Sequence, residues 1–155
     1  MKFLTVFLVS MVPIIELRGA VPIGVGMGLP EWAVLLTALF GNLLPVPFIF
    51  FFARRVLEWG ATWKWEKAQN FCKWCLKKGE KGGKKLQEKA GNNIYLALAL
   101  FVGIPVPGTG AWTGTLAASM LNLDRRKTIV AVSTGLVLAG LIMSILSLGL
   151  FKFIS

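Results

Sequence analysis

The chain has 155 residues, of which 55% are hydrophobic and only 15% charged, with a mean hydropathy of +0.70. Soluble domains carry nearer a quarter charged residues, so a soluble enzyme, a disordered chain and a disulfide scaffold are excluded. The net charge of +10 would suit a nucleic-acid partner, but eleven of the 17 Lys and Arg fall between Arg54 and Lys89, between apolar blocks. That placement marks a juxtamembrane basic loop, and the chain reads as an integral membrane protein without a nucleic-acid partner.

Met1 to Ile15 is apolar apart from Lys2, Thr5 and Ser10. A signal peptide has this look, but no small-residue cleavage site follows, so the segment is expected to stay in the mature chain. Glu16-Leu17-Arg18-Gly19-Ala20-Val21-Pro22 comes next, and then the small residues Gly24, Gly26 and Gly28. Glu31 to Phe52 predicts a first membrane span. Pro30 suits the first helical turn, Glu31 suits its positive end, and Ala33–Phe52 is free of charge and long enough to cross the hydrocarbon. Pro45 and Pro47 predict a kink, and Arg54-Arg55 ends the span.

In the polar block Val56–Ala90, Trp59, Trp63, Trp65, Phe71 and Trp74 are interleaved with lysines. This suits an amphipathic helix in the headgroup layer, a solvated basic loop being the plainer alternative. Lys81-Gly82-Gly83-Lys84-Lys85 predicts a turn. Cys72 and Cys75 form a Cys-x-x-Cys, but there is no second pair and no His to complete a zinc shell. They read as thiols facing a reducing cytoplasm, and no metal or cofactor is expected.

Ile94–Ile104 is apolar and leads into Pro105-Val106-Pro107-Gly108-Thr109-Gly110-Ala111-Trp112-Thr113-Gly114, followed by a short apolar stretch to Leu123. Asp124-Arg125-Arg126-Lys127 precedes a second clean span, Thr128–Phe151. Positive charge marks the cytoplasmic side. If Ile94–Leu123 crossed the membrane completely, Arg125, Arg126 and Lys127 would lie outside. A segment that enters halfway and returns keeps them inside, and each arm has a length fitting half a bilayer. The N-terminal third has the same shape, and one span separates the two hairpins, so the second copy must be inverted.

The expected fold is therefore an all-α integral membrane protein built as an inverted repeat. Residues 1–30 form one re-entrant hairpin and 31–55 a transmembrane helix. Residues 56–90 are a basic cytoplasmic amphipathic segment, 91–123 a second re-entrant hairpin, and 124–155 a transmembrane helix. Both termini face outside. Irregular backbone at membrane depth must be shielded, which implies a central polar cavity or a homodimer. Gly110 and Gly114 permit close helix packing, the commoner role of such glycines.

Glu16 and Arg18 lie beside a helix break inside an apolar region, and intramembrane ions are functional candidates by default. They either pair with each other as structure or form a transport site. In the second case Glu16 holds a proton or cation and Arg18 holds a phosphate. Backbone amides near Gly108–Gly110 and Gly19–Ala20 are further candidate donors. Pro107, Gly108, Thr109, Gly110, Trp112, Thr113 and Asn42 complete the candidate substrate and proton site. Arg54, Arg55, Arg125 and Arg126 are candidates for lipid-headgroup contact on the cytoplasmic side. No nucleophile–base pair is visible, so no enzyme is expected.

Pro13-Ile14-Ile15-Glu16-Leu17-Arg18-Gly19-Ala20-Val21-Pro22 and the stretch Pro105–Gly114 resemble the family called small multidrug export protein, over nearly the whole chain. The hairpin-plus-helix design is also similar to the wider DedA superfamily. That resemblance implies a prokaryotic inner-membrane protein and proton-linked flipping of polyprenyl-phosphate carriers, with Glu16 in the acidic role. The superfamily's second-hairpin arginines have no counterpart at this tip, where only Arg125 and Arg126 come near. The leading expectation is proton-coupled translocation of an anionic lipid carrier between leaflets. The alternatives are a proton-coupled exporter of lipophilic cations and a non-transporting membrane scaffold. The partners expected are membrane lipids, an anionic lipid or small-molecule substrate, and protons.

Overall fold

The computed structural model describes residues 1–154 apart from Asn92 and Pro107, with Phe151 and Ile154 described by backbone alone. Among the described residues every regular element is helical. They are α1 (Lys2–Met11), α2 (Glu16–Gly26), α3 (Glu31–Leu43), α4 (Pro45–Phe48), a π-helical turn (Ile49–Ala53), α5 (Arg54–Gly60), α6 (Glu66–Ala90), α7 (Ile94–Gly103), α8 (Ala111–Met120) and α9 (Arg125–Ile154).

From α3 to α5 the chain forms one continuous rod, Glu31–Gly60, of 30 residues, and the apolar part of α9, Arg125–Leu150, has 26. At ~1.5 Å per residue both exceed the ~30 Å hydrocarbon thickness of a bilayer. Most of each apolar window faces outward. Trp32, Leu36, Phe40 and Phe48 expose one side of the rod, and Val130, Val137, Leu141 and Ile145 one side of α9. Apolar stripes of that extent suit lipid contact and not water. The rod continues five residues past its expected end at Arg55, because nothing in Val56–Gly60 breaks a helix before the turn at Ala61.

At Pro45 and Pro47, where a kink is expected, the helix changes type. Neither proline has an amide hydrogen to donate; α3 ends at Leu43, the short α4 carries both prolines, and the chain widens into the π-turn two residues beyond Pro47. Ser119 Oγ on α8 donates to Phe50 O in that turn, 2.8 Å away.

Two helical pairs flank the long helices. The open end of α1/α2 is closed by Lys2 Nζ donating to Met27 O at 2.9 Å. The open end of α7/α8 is closed by the Asp124 amide donating to the Tyr95 hydroxyl at 3.0 Å, with the Lys127 ammonium 5.6 Å from the Tyr95 ring centre. Asp124 also caps α9, its Oδ1 accepting the Lys127 amide at 3.0 Å. The start of α9 lies beside the far end of the rod, with Arg125 5.0 Å from the centre of the Phe51 ring.

Each pair carries its own core. Val6, Leu17, Val21, Val34 and Ala38 pack α1, α2 and α3 against Ala139 of α9. Leu98, Val102, Ala117, Val132 and Leu136 pack α7, α8 and α9 around Val46. α9 thus belongs to both cores and joins them.

One expectation fails outright. No turn occurs at Lys81–Lys85, because α6 is a continuous helix from Glu66 to Ala90. Gly79, Gly82 and Gly83 are buried with Leu86 against α8. A Cβ on Gly79 would come within 2.9 Å of Leu116, and one on Gly83 within 3.4 Å of Leu121. The missing side chains allow close approach, and packing outweighs a propensity cost of about 1 kcal/mol per glycine.

Candidate functional site

The breaks between α1 and α2 and between α7 and α8 meet tip to tip. Ile14 and Glu16 hold left-handed backbone, with φ of 85° and 49°. Such conformations cost about 1–3 kcal/mol each for non-glycine residues and persist where surroundings enforce them. Here they turn the chain sharply, so that Glu16 opens α2 with its side chain reaching the other hairpin.

Glu16 is only 6% exposed, and its Oε1 accepts the Trp112 amide at 3.0 Å. The Ala111 amide faces the same carboxylate. These are the first donors of α8, which no intrahelical acceptor satisfies, so the Glu16 carboxyl group takes the place of a ligand at a helix N-terminus. Gly110 makes room for it, since a Cβ there would lie 2.6 Å from Glu16 Cδ. The Trp112 indole donates to Met11 O at 3.2 Å and fastens the same helix start to the end of α1.

Arg18 lies about half a turn along α2 and takes the other part of the second tip. Its Nη2 donates to Ile104 O at 2.8 Å, to Thr109 Oγ1 at 3.1 Å and to Val102 O at 3.3 Å, and its Nη1 donates to Val106 O. Val102 and Ile104 belong to the end of α7, where carbonyls lack partners and carry partial negative charge. The planar fork of five donors is what lets one side chain gather several of them. The Thr109 hydroxyl is also within 2.8 Å of Val106 O and 3.0 Å of Ile104 O.

Glu16 and Arg18 therefore form no ion pair with each other. Among the described residues the ion pair within 4 Å is Arg54–Glu58, at 3.0 Å on the surface. Each member of the expected pair binds the opposite hairpin instead.

Beside these contacts lies a cavity of about 580 Å³, within the size range that takes a drug-sized ligand. Glu16, Arg18, Gly108, Thr109, Gly110, Trp112 and Thr113 line it, and so do Phe48, Ile49 and Phe52 of the rod. A further wall comes from α6, through Phe71, Trp74, Cys75 and Lys78. Those four were missed as site residues, although their i, i+3, i+4, i+7 spacing places them on one helix face. The aromatic and basic character of α6 pointed to the membrane surface and concealed this inward stripe.

Other expected positions lie elsewhere. Asn42 is fully buried within α3 and does not line the cavity; neither polar atom of its amide has a hydrogen-bond partner among the described residues. Pro107 lies outside the described residues. None of Arg54, Arg55, Arg125 and Arg126 lines the cavity, and Arg125 lies over the Phe51 ring of the rod. Gly19 offers no free amide, because it donates to Ile15 O at 3.0 Å.

One protein family matches the chain, described as "Putative small multi-drug export protein", over residues 16–142. The matched segment begins at Glu16, just after the first break, and includes α2, the rod, α6 and the second tip. Neither the curated proteins nor the solved structures give a match.

Proposed function

The chain belongs to the small multi-drug export family, and from that premise we propose that it exports small amphipathic molecules through the cavity between its hairpin tips, with Glu16 carrying the coupling proton. The observation that carries this reading is the Glu16 carboxylate, held on the N-terminus of α8 at the wall of a largely apolar cavity of about 580 Å³.

In this reading α1/α2 and α7/α8 are re-entrant hairpins related as an inverted repeat. Support comes from their closed bases, Lys2–Met27 near the start of the rod and Tyr95–Asp124 near its far end. Helices of 10 residues such as α1 and α7 reach about 15 Å, half the hydrocarbon thickness, which puts the tips near the midplane. In this reading α6 and the Arg54 and Arg125 ends lie on the cytoplasmic side of a prokaryotic inner membrane, a side that the excess of positive charge supports. The cavity, walled by α6, then faces the cytoplasm.

Coupling follows from the two tip contacts. An ionised Glu16 is attracted to the positive end of α8, whereas a protonated one loses most of that attraction. A proton on its carboxyl loosens the α2–α8 contact, and the Arg18 clamp is then the remaining tie between hairpins. Breaking both lets the tips part and opens the cavity to the other side. Flipping of a polyprenyl phosphate has no support of its own in this geometry or in the family description.

Reconstituted vesicles test the proposal. Wild-type protein is expected to move an amphipathic fluorescent dye across the bilayer faster when a pH gradient is imposed. Glu16→Gln is expected to abolish the gradient dependence while circular dichroism still reports a helical fold. A folded wild type without gradient-driven movement, or a Glu16→Gln variant equal to it, overturns the reading.

A further inference from the structure

The charged side chains of the cavity wall are Glu16, Arg18 and Lys78, and they differ in how far they are already engaged. Glu16 is nearly buried and bonded to the first amides of α8. Arg18 spends its guanidinium on carbonyls of the second tip and on Thr109. Lys78 has neither a carboxylate nor a hydrogen-bond acceptor among the described residues. Its ammonium lies 4.6 Å from the centre of the Trp74 ring. It also lies against the second tip, where a Cβ on Gly108 would come within 2.8 Å of Nζ. Gly108 has φ of 85°, a left-handed backbone that glycine adopts without cost, so the same residue makes the turn and leaves room for the ammonium.

We infer that the cavity selects drug-sized amphiphilic anions, with the Lys78 ammonium pairing the anionic group and the aromatic wall of Phe52, Phe71 and Trp74 holding the apolar body. This inference rests on the export reading and names the substrate class of the same cavity. A cation entering here finds the one carboxylate occupied and two positive groups facing it. A half-buried ammonium in apolar surroundings is poorly solvated, so an arriving anion gains from pairing it and a cation is repelled. The apolar wall rewards burial of a hydrophobic body without fixing its shape, which fits a site that accepts many anions of similar size.

The test uses the full chain in nanodiscs of zwitterionic lipid, with no gradient. Two dansyl probes share one short alkyl body, one ending in a carboxylate and the other in a trimethylammonium. Energy transfer from tryptophan to dansyl reads binding. Wild type is expected to bind the carboxylate probe at least about tenfold more tightly, roughly the effect of one charge-assisted contact. Lys78→Gln is expected to remove that preference, Lys78→Glu to reverse it, and Lys78→Arg to keep it, which separates loss of charge from loss of fold. Equal or tighter binding of the cationic probe, or an unchanged preference in Lys78→Gln, overturns the inference. So does displacement of the carboxylate probe by phosphatidylglycerol added to the nanodisc, which reassigns the site to a lipid headgroup. Because binding is read apart from transport, preferential anion binding in a chain that fails the vesicle assay overturns the export reading and leaves this inference standing.

Discussion

Arg18 links the two hairpins through more hydrogen bonds than any other side chain described. Its fork gathers carbonyls on both sides of the α7 terminus, a task for which lysine is a poor substitute. A single ammonium cannot span Val102, Ile104, Val106 and Thr109. Arg18→Lys is expected to lower stability by about 2 kcal/mol, on the scale of one or two charged hydrogen bonds, seen as an earlier melting transition in detergent. An unchanged transition would mean that the carbonyls are satisfied without the fork. Glu16 and Arg18 were legible in the sequence as costly ions beside a break. Their partners were not, because those partners lie 84 to 96 residues away and no spacing in the chain connects them.

At the scale of elements, α6 differs most from its reading. The tryptophans and lysines of Val56–Ala90 marked an interfacial helix; Trp63 and Trp65 precede α6 and are exposed, as is Trp74 within it. The glycines that suggested a turn instead form the surface on which α8 lies. A large side chain there has no room. At Gly79 a Cβ alone would lie 2.9 Å from Leu116, so Gly79→Leu is expected to push α6 off α8 and open the cavity wall, and tryptophan emission should shift and the dansyl carboxylate probe should bind several-fold more weakly. Retained emission and affinity would show that the α6–α8 contact is dispensable. Local composition misled at this point because a glycine pair has two opposite uses, chain reversal and close approach. Only the facing element decides between them.

At the scale of the whole molecule, the hairpins shield each other. Side chains of the first tip cover backbone groups of the second, a task that the sequence reading assigned to a polar cavity or to a second copy. The cavity lies where the first tip, the second tip, the rod and α6 converge, and Cys75 reports on that convergence. Burial pushes its thiol above the usual range, the neighbouring Cys72 adds to this, and Lys78 offsets part of it. A raised thiol holds less thiolate near neutral pH, so in a Cys72→Ser background Cys75 should alkylate slowly with N-ethylmaleimide at pH 7 and faster as pH rises. A bound amphiphilic anion should slow it further, as followed by mass spectrometry. Alkylation at pH 7 as fast as that of an exposed thiol would take Cys75 out of the cavity wall.

Two long apolar helices, two breaks with unusual polar residues, and one basic block were all readable from composition and order along the chain. Each depends on local quantities: run length, the position of proline and glycine, and the density of charge. The capture of Glu16 by α8 and the recruitment of Phe71, Trp74, Cys75 and Lys78 into one cavity were decided only in three dimensions. Periodicity shows which side of a helix is apolar or charged. It carries no information about which distant surface is shaped to receive that side, and here glycine-lined close approaches at Gly79 and Gly110 make that choice.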